Sequence, residues 1–292
     1  MAPAPVETAM RPCWLALLAL LLAPAGAAAG SGALELHGRL RQGGLLTGRV
    51  SPGTRVYFDG HPVRVGPRGW FALGLGRDAP RRAPLSVRGP QGAFRQRVLE
   101  VEQRHYRVQR INGLSPSLVH PDHEALRRIR REHQRVHEAR GHFSPQSAFR
   151  RPFVWPVTGP ITGVYGTRRV LNGEPRQPHY GVDIAAPAGT TVRAPAAGIV
   201  RMADGDLYFS GGTLILDHGH GVSSTFLHLR RTLVTPGERV EQGQPIAEVG
   251  ATGRVTGAHL DWRMNWFDRR LDPALLVGPM PAANGSESAR GG

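Results

Sequence analysis

Short apolar runs, each ended by glycine or proline, are the feature that most restricts how this chain can fold. The 292 residues include 38 Gly and 25 Pro, and aromatic residues make up only 7%. Runs of this length suit β-strands, whereas a helical bundle needs longer amphipathic segments. The sequence therefore predicts a mainly β protein with many turns, long enough to hold two compact domains.

The first of these domains is expected over residues 30–110. Apolar and polar residues alternate in short segments, such as residues 55–58, 63–65, 70–73 and 98–101. Asp59-Gly60 lies between the first two segments and is typical of a tight hairpin turn. The pattern predicts a small β-sandwich-like domain. It holds no cluster of titratable residues at a spacing that suggests chemistry, so a structural or binding role is the simplest interpretation.

The apolar period lengthens to that of an α-helix between residues 121 and 140. Pro121 and Asp122 mark the start of this segment, and Gly141 follows its end. The pattern predicts a linking helix within residues 118–141, followed by a linker over residues 142–152. The opposite face is arginine-rich and expected to be solvated. The inner face is expected to carry Leu126, Ile129, His133 and Val136 on one face of the helix, with His133 packing or capping rather than binding a metal.

The first 29 residues have the three regions of a secretory signal: Arg11, an apolar stretch over residues 14–22, and small residues up to Ala29. No other apolar run approaches the ~20 residues that a membrane-spanning helix requires. The sequence therefore predicts a signal peptide over residues 1–29. It also predicts an exported protein, periplasmic or secreted, with no transmembrane segment after processing. The tail over residues 278–292, rich in Gly, Ser and Ala, is expected to be disordered.

Cysteine content and charge limit the chemistry and the partners. The single cysteine, Cys13, lies in the signal segment, so a metal in the processed chain must use histidine and carboxylate donors. The formal net charge of +15 favours anionic partners, such as wall polymers or membrane-surface head groups. Zinc-finger spacing, aromatic RNA-binding signatures and recognition helices are missing from the sequence, so nucleic acid is not the expected partner.

Residues 153–277 again alternate in short strand-like runs and predict an all-β domain. Three polar clusters occur in it, at residues 179–183, 226–229 and 257–261. Side chains two apart on a strand share a face, so His259 and Asp261 are expected in one cleft, with Leu260 turned into the core. The same logic is expected to place His228 on its own apolar strand. His218 and His220 alternate with glycine and are interpreted as structural or surface residues rather than metal ligands.

Together these clusters resemble the lysostaphin-type (LytM-like) zinc endopeptidases, whose marks are an H-x-x-x-D motif, a lone strand histidine and a terminal H-x-H. The neighbouring segments 164–168, 184–190, 216–219 and 250–254 are also similar. The resemblance implies an antiparallel LytM-like β domain, bound Zn²⁺ and a peptidoglycan substrate. It further implies that His179 and Asp183 are zinc ligands, and that His228 and His259 handle the attacking water and the transition-state oxygen.

One position departs from the family pattern, because Asp261 replaces the second histidine of H-x-H. A carboxylate oxygen is an accepted zinc donor, so Asp261 is expected as the third ligand. Two carboxylates would cancel the charge of Zn²⁺, which predicts a weaker field on the bound water than in a site with two histidines. Asp261→His is therefore expected to tighten zinc binding. If Asp261 instead points into solvent or is held by an arginine such as Arg263, the ligand assignment fails and a regulatory role is favoured.

The function expected from the resemblance is a zinc-dependent endopeptidase that hydrolyses peptide cross-links or stem peptides of bacterial peptidoglycan. The alternative is a catalytically silent LytM-like domain that binds peptidoglycan or regulates another cell-wall hydrolase. The two interpretations differ in whether Asp261 completes a metal centre.

Overall fold

β-Strands make up most of the regular structure, as the short apolar runs predict. The computed structural model describes Met1, residues 34–113 and residues 121–281. Within these ranges it holds twenty strands, one α-helix and two short 3₁₀ helices. Apart from Met1, the predicted signal peptide lies outside the described residues, as do residues 118–120 of the predicted linking helix.

The N-terminal region forms two sheets around a shared apolar core, which confirms the predicted sandwich-like architecture. Leu46 and Phe71 of one sheet and Leu85 and Leu99 of the other belong to this core. The seven strands are β1 (Glu35–Gly38), β2 (Leu45–Arg49), β3 (Arg55–Phe58), β4 (His61–Val63), β5 (Trp70–Gly74), β6 (Arg82–Arg88) and β7 (Phe94–Glu100). The strand orders are β1-β2-β5 and β4-β3-β6-β7.

The predicted hairpin at Asp59-Gly60 joins β3 and β4. Phe58 pairs with His61, which leaves a two-residue turn between the strands. Asp59 and Gly60 have φ values of 53° and 77°. Positive φ at both turn positions matches the right-handed twist of the flanking strands, which explains the Asp-Gly choice.

The helix α1 spans His123–Arg140, close to the predicted range. Asp122 caps its first turn, since its side chain accepts a hydrogen bond from the Ala125 N–H at 2.8 Å. Ile129 is buried and Val136 packs against a core cluster as expected, but Leu126 and His133 are exposed. The prediction that His133 packs is therefore wrong.

Polar contacts explain this different orientation of α1. Glu132 is buried and accepts a hydrogen bond from the backbone N–H of Tyr208 at 2.9 Å. Arg140 is also buried and donates to the Val136 carbonyl at 3.2 Å. Ile129 and Ala139 are the buried apolar residues beside them. An apolar pattern could not show that two charged side chains belong to the inner face.

The C-terminal region is built on a ten-stranded sheet. Its strands are β9 (Ile161–Gly163), β12 (Val182–Ala185), β13 (Thr191–Arg193), β14 (Gly198–Leu207), β15 (Gly211–Gly219), β16 (Val222–Thr232), β17 (Arg239–Val240), β18 (Pro245–Val249), β19 (His259–Trp266) and β20 (Arg269–Leu271). The main order is β17-β14-β15-β16-β19-β12-β9. All its pairings are antiparallel, as expected.

A separate three-stranded sheet lies beside the main one. It has the order β11-β10-β8 and comprises β8 (Val108–Ile111), β10 (Arg168–Leu171) and β11 (Glu174–Arg176). β8 pairs with β10 in parallel. The segment that leaves the N-terminal sandwich is thus hydrogen-bonded to the hairpin that precedes His179.

The segments assigned from sequence to a linker and a tail contribute to the core. Phe149 lies in the 3₁₀ helix Ala148–Arg150 and is buried in the core of the large sheet. Met280 packs against the same core, and Trp155 Nε1 donates to the Gly278 carbonyl at 2.9 Å. Residues 282–292 of the predicted disordered tail lie outside the described residues.

His218 and His220 have the structural roles expected for them. Both are buried. The ring nitrogens of His218 lie 2.8 Å from the Ala197 carbonyl and 2.7 Å from Ser224 Oγ. His220 packs against the rings of Phe143 and Phe149, each with a centroid distance of 4.9 Å.

In the part of the chain that the structure describes, no helix is long and apolar enough to cross a membrane.

Candidate metal centre

The register of β12 and β19 brings two carboxylates together. Asp183 lies directly opposite Asp261 in this antiparallel pair, and Ala185 lies opposite His259. Directly opposite residues share a face, with Cβ atoms about 5 Å apart. Leu260 is fully buried on the other face. The alternation predicted for residues 259–261 is thus present in the structure.

His179 completes a group of three convergent donors. Its Nε2 atom lies 2.9 Å from Asp183 Oδ1 and 3.6 Å from Asp261 Oδ2. One donor atom from each of the three residues lies within 4.8 Å of the other two. The three residues expected from sequence to bind zinc therefore meet at one point.

The turn before β10 fixes the orientation of His179. Its backbone N–H donates to the Thr167 carbonyl at 2.9 Å, and its carbonyl accepts from the Gly166 N–H at 2.7 Å. The Nδ1 atom lies 3.3 Å from the Val164 carbonyl. Metal-binding histidines commonly donate their second ring N–H to a carbonyl in this way, which leaves the other nitrogen for the metal.

Two atoms of the group are buried without a satisfactory partner. His179 Nε2 and Asp183 Oδ1 have no aligned hydrogen bond among the described residues, although they lie close to each other. Close approach without an aligned hydrogen bond satisfies buried polar atoms poorly, and a cation bound to both would satisfy them. One imidazole and two carboxylates are donors that Zn²⁺ accepts, with a fourth position left open. The donor set therefore fits the metal that the resemblance implies.

Two glycines make room for the carboxylates. A Cβ atom on Gly163 would lie 2.1 Å from Asp183 Oδ2. A Cβ atom on Gly181 would lie 2.3 Å from Asp261 Oδ1. The sequence did not indicate that either glycine matters. Their importance depends on which side chains of the neighbouring strands lie against them, and this is visible only in the structure.

Arg263 also holds Asp261. Its Nε atom donates to Oδ1 and Oδ2 at 3.0 and 3.1 Å, and Nη2 donates to Oδ2 at 2.6 Å. Burial by itself raises the pKa of Asp261, but Arg263 and His179 together hold that pKa well below its usual value. Asp261 is therefore ionised. The contact with Arg263 that the sequence analysis set against ligation is present, although Asp261 also lies within 3.6 Å of His179 Nε2.

A second arginine, Arg169, was missed by sequence reasoning. Its Nη2 atom lies 3.6 Å from Asp183 Oδ2. The signal in the sequence was weak, because Arg169 is one of many arginines and lies outside the three polar clusters.

The carboxylates also control the charge of His179. Burial lowers the pKa of this imidazole, but Asp261 and Asp183 outweigh burial and raise the pKa to about 9. Without a metal, His179 is therefore protonated at neutral pH. A metal must displace this proton, because only the deprotonated nitrogen can act as a ligand.

His228 and His259 lie side by side at the same centre. Their ring centroids are 4.9 Å apart, and His259 Nε2 lies 3.8 Å from Asp183 Oδ1. The Nδ1 atoms are each 2.9 Å from a backbone carbonyl, of Thr252 for His228 and of Gly257 for His259. Burial lowers the pKa of His228, so this ring is neutral at pH 7. Nε2 is then the nitrogen of each ring available for proton transfer.

The sequence predicts His228 on a regular strand, but the structure places it at an irregularity in β16. The register of β15 and β16 pairs Leu214 with Phe226 and Gly212 with Leu229, so β16 carries one extra residue there. His228 itself has a φ of 64°. Such bulges re-aim side chains, and positive φ at a non-glycine residue is concentrated at functional sites. The Phe-Leu-His-Leu sequence gives no sign of a bulge.

A buried group of one histidine and two carboxylates, flanked by two further histidines on a β-sheet, defines a metallopeptidase type of site. Residues 177–273 match the model of Peptidase family M23. A solved structure from Pseudomonas aeruginosa, assigned to peptidase M23, is 32% identical, with a TM-score of 0.64 over 82% of this chain and 96% of that one. The chain therefore belongs to peptidase family M23, and the resemblance to LytM-like enzymes is confirmed.

Two curated relatives from Vibrio cholerae share this region. The chain is 43% identical over 84 residues to the peptidoglycan DD-endopeptidase ShyC and 37% identical over 124 residues to the peptidoglycan DD-endopeptidase ShyA. These matches cover 29% and 41% of this chain but only 19% and 28% of the relatives. The chain thus matches less than a third of the length of either relative.

Proposed function

We propose that this protein is an exported, zinc-dependent endopeptidase that hydrolyses peptide cross-links or stem peptides of bacterial peptidoglycan. The observation that carries the proposal is the convergence of His179, Asp183 and Asp261 beside His228 and His259. Membership of family M23 and the two relatives described as peptidoglycan DD-endopeptidases support the substrate class. The net charge of +15 favours attraction to an anionic wall.

The roles of the residues follow from their surroundings. His179, Asp183 and Asp261 would hold the metal, and bound zinc would supply a Lewis acid that polarises the scissile carbonyl and activates water. Neutral His228 suits the acceptance of a proton and its delivery to the leaving amine. His259, whose Nδ1 atom contacts the Gly257 carbonyl and whose Nε2 atom lies 3.8 Å from Asp183 Oδ1, would in its doubly protonated form donate a hydrogen bond from Nε2 to the carbonyl oxygen as it gains charge.

One observation favours a second candidate function. Arg263 makes three contacts with Asp261 and neutralises the third donor. If this arginine prevents zinc from binding, the domain would retain its fold and bind peptidoglycan or regulate another cell-wall hydrolase without cleaving peptides.

The test compares wild type, His228→Ala and His133→Ala on purified cross-linked peptidoglycan, with zinc content measured in each sample. We expect wild type to release new amino groups and a chelator to stop the reaction. His228→Ala should retain zinc but lose about 10² to 10⁴-fold in rate, the usual contribution of a general base. His133→Ala alters an exposed histidine on α1 and should match wild type. Wild type that is fully loaded with zinc and releases no amines would favour the silent domain.

A further inference from the structure

We infer that Asp261 and Arg263 act together as one electrically neutral metal donor, in the position where the H-x-H pattern has its second histidine. Arg263 is then a positioning residue that directs one carboxylate oxygen toward the centre. The inference rests on the proposed function in one respect, since it requires a divalent cation between His179 and the two carboxylates.

The arginine leaves part of the carboxylate available. Arg263 contacts both oxygens of Asp261, with its shortest contact to Oδ2 at 2.6 Å. That same oxygen lies 3.6 Å from His179 Nε2. An ionised carboxylate offers about four lone-pair directions, so the arginine does not exhaust them. Oδ2 can therefore accept from Arg263 and still donate to a cation beside His179.

The pair is held in place by its position on β19. Asp261 and Arg263 are two residues apart on this strand, so they share a face. Gly181 provides the space, because a Cβ atom there would lie 2.3 Å from Asp261 Oδ1 and 2.7 Å from Arg263 Cγ. The side chains are 3% and 25% exposed, which limits their freedom to separate.

The charge of the pair changes the electrostatics expected from the ligands alone. Asp183 and Asp261 would cancel the charge of Zn²⁺, but Arg263 returns one positive charge next to the third donor. The centre then has the same formal charge as a site with two neutral histidines and one carboxylate. Because the pair is mostly shielded from solvent, salt screens its field only weakly.

Arg263 could either orient Asp261 as part of a neutral pair or block the metal site. These two alternatives predict opposite effects of Arg263 substitution on metal binding. Removal of Arg263 takes a positive charge away from the cation but also frees the carboxylate to rotate. If Arg263 orients Asp261, the loss of orientation is the larger effect and metal binding weakens. If Arg263 blocks the site, its removal strengthens metal binding. Asp261→His alone also distinguishes the two cases. If the pair acts as one neutral donor, this substitution leaves the guanidinium of Arg263 without its counter-charge beside the cation and weakens metal binding. The presence of Arg263 thus reverses the effect of Asp261→His expected from sequence.

The experiment measures the affinity of the full chain for zinc by competition with a chromophoric chelator. Arg263→Met and Asp261→His should each weaken binding about 10 to 100-fold, the usual effect of losing a partner of a metal ligand. The double variant Asp261→His/Arg263→Met should recover wild-type affinity, because it replaces one neutral donor with another. Arg263→Lys retains the charge without the paired contacts and should be intermediate. Arg231→Met removes an exposed arginine that pairs with Glu248 on the same sheet, and should match wild type.

Three results would overturn the inference: tighter zinc binding by Arg263→Met, tighter binding by Asp261→His alone, or a wild type that binds no zinc. Circular dichroism on each variant checks that the fold is retained, and recovery in the double variant is a gain that unfolding cannot produce. The expected order of affinities without any peptide hydrolysis by wild type would leave the inference standing and refute only the proposed function.

Discussion

Burial lowers the pKa of both His179 and His218, yet the two imidazoles differ in charge at neutral pH. His218 lies between the Ala197 carbonyl and Ser224 Oγ, and burial lowers its pKa to about 4. His179 faces two carboxylates that overcome burial and raise its pKa to about 9. Neighbouring charges therefore decide which buried histidine carries a proton at neutral pH. The same contrast separates the structural histidine from the one in the candidate metal site.

The lowered pKa of His218 predicts a loss of stability in acid. The unfolded histidine has a pKa of about 6.5, so the unfolded state binds more protons as pH falls from 6.5 towards 4. Stability is then lost across this range, by roughly 2 to 3 kcal/mol in total for this residue. Urea unfolding at pH 7, 5.5 and 4.5 should show a shallower pH dependence for His218→Gln than for wild type. His133→Gln, at an exposed position, should retain the wild-type slope, and equal slopes in all three proteins would contradict the assignment.

At the scale of elements, the alternation of short runs was enough to predict the strands and the hairpin at Asp59-Gly60. Period and turn chemistry act over a few neighbouring residues, so a sequence displays them directly. The shared face of His259 and Asp261 was also predictable, since these residues lie two apart on β19. The bulge at His228 and the orientation of α1 were not predictable. Both depend on contacts with partners far along the chain, as when Glu132 accepts from the Tyr208 N–H.

The space at Gly181 is expected to be essential for the metal centre. In Gly181→Ala, the added methyl group would meet Asp261 Oδ1, Arg263 Cγ and the carbonyl of Trp262, all within 2.7 Å. Such overpacking typically costs about 1 to 3 kcal/mol and should displace the third donor. We expect a lower midpoint of urea unfolding and weaker zinc binding. Gly205→Ala on β14 is the matched control, because a Cβ there meets nothing within 4 Å. Unchanged zinc affinity in Gly181→Ala would show that the centre does not depend on this spacing.

On the scale of the whole molecule, the N-terminal sandwich is hydrogen-bonded to the turn that orients His179, from outside the M23 match. Arg77, which follows β5, donates two hydrogen bonds to the Gly166 carbonyl, at 3.0 and 2.9 Å. Gly166 in turn donates its N–H to the His179 carbonyl. The guanidinium of Arg77 also lies over the ring of Tyr106, at 4.1 Å from its centroid. A contact between residues so distant in sequence leaves no local pattern, which is why the N-terminal region seemed from sequence to have only a separate structural or binding role.

Replacement of Arg77 tests whether this support reaches the metal. In Arg77→Met the Gly166 carbonyl loses two charge-assisted hydrogen bonds, which should lower the free energy of unfolding by about 1.5 to 3 kcal/mol. The turn that orients His179 should then loosen, and zinc affinity should fall about tenfold, as expected when the support of a ligand is lost. Arg82→Met is the control, since Arg82 is 69% exposed and forms an ion pair with the exposed Glu100. Urea unfolding and chelator competition on the full chain give both quantities. A stability loss without a change in zinc affinity would mean that the sandwich stabilises the protein but does not help to organise its metal centre.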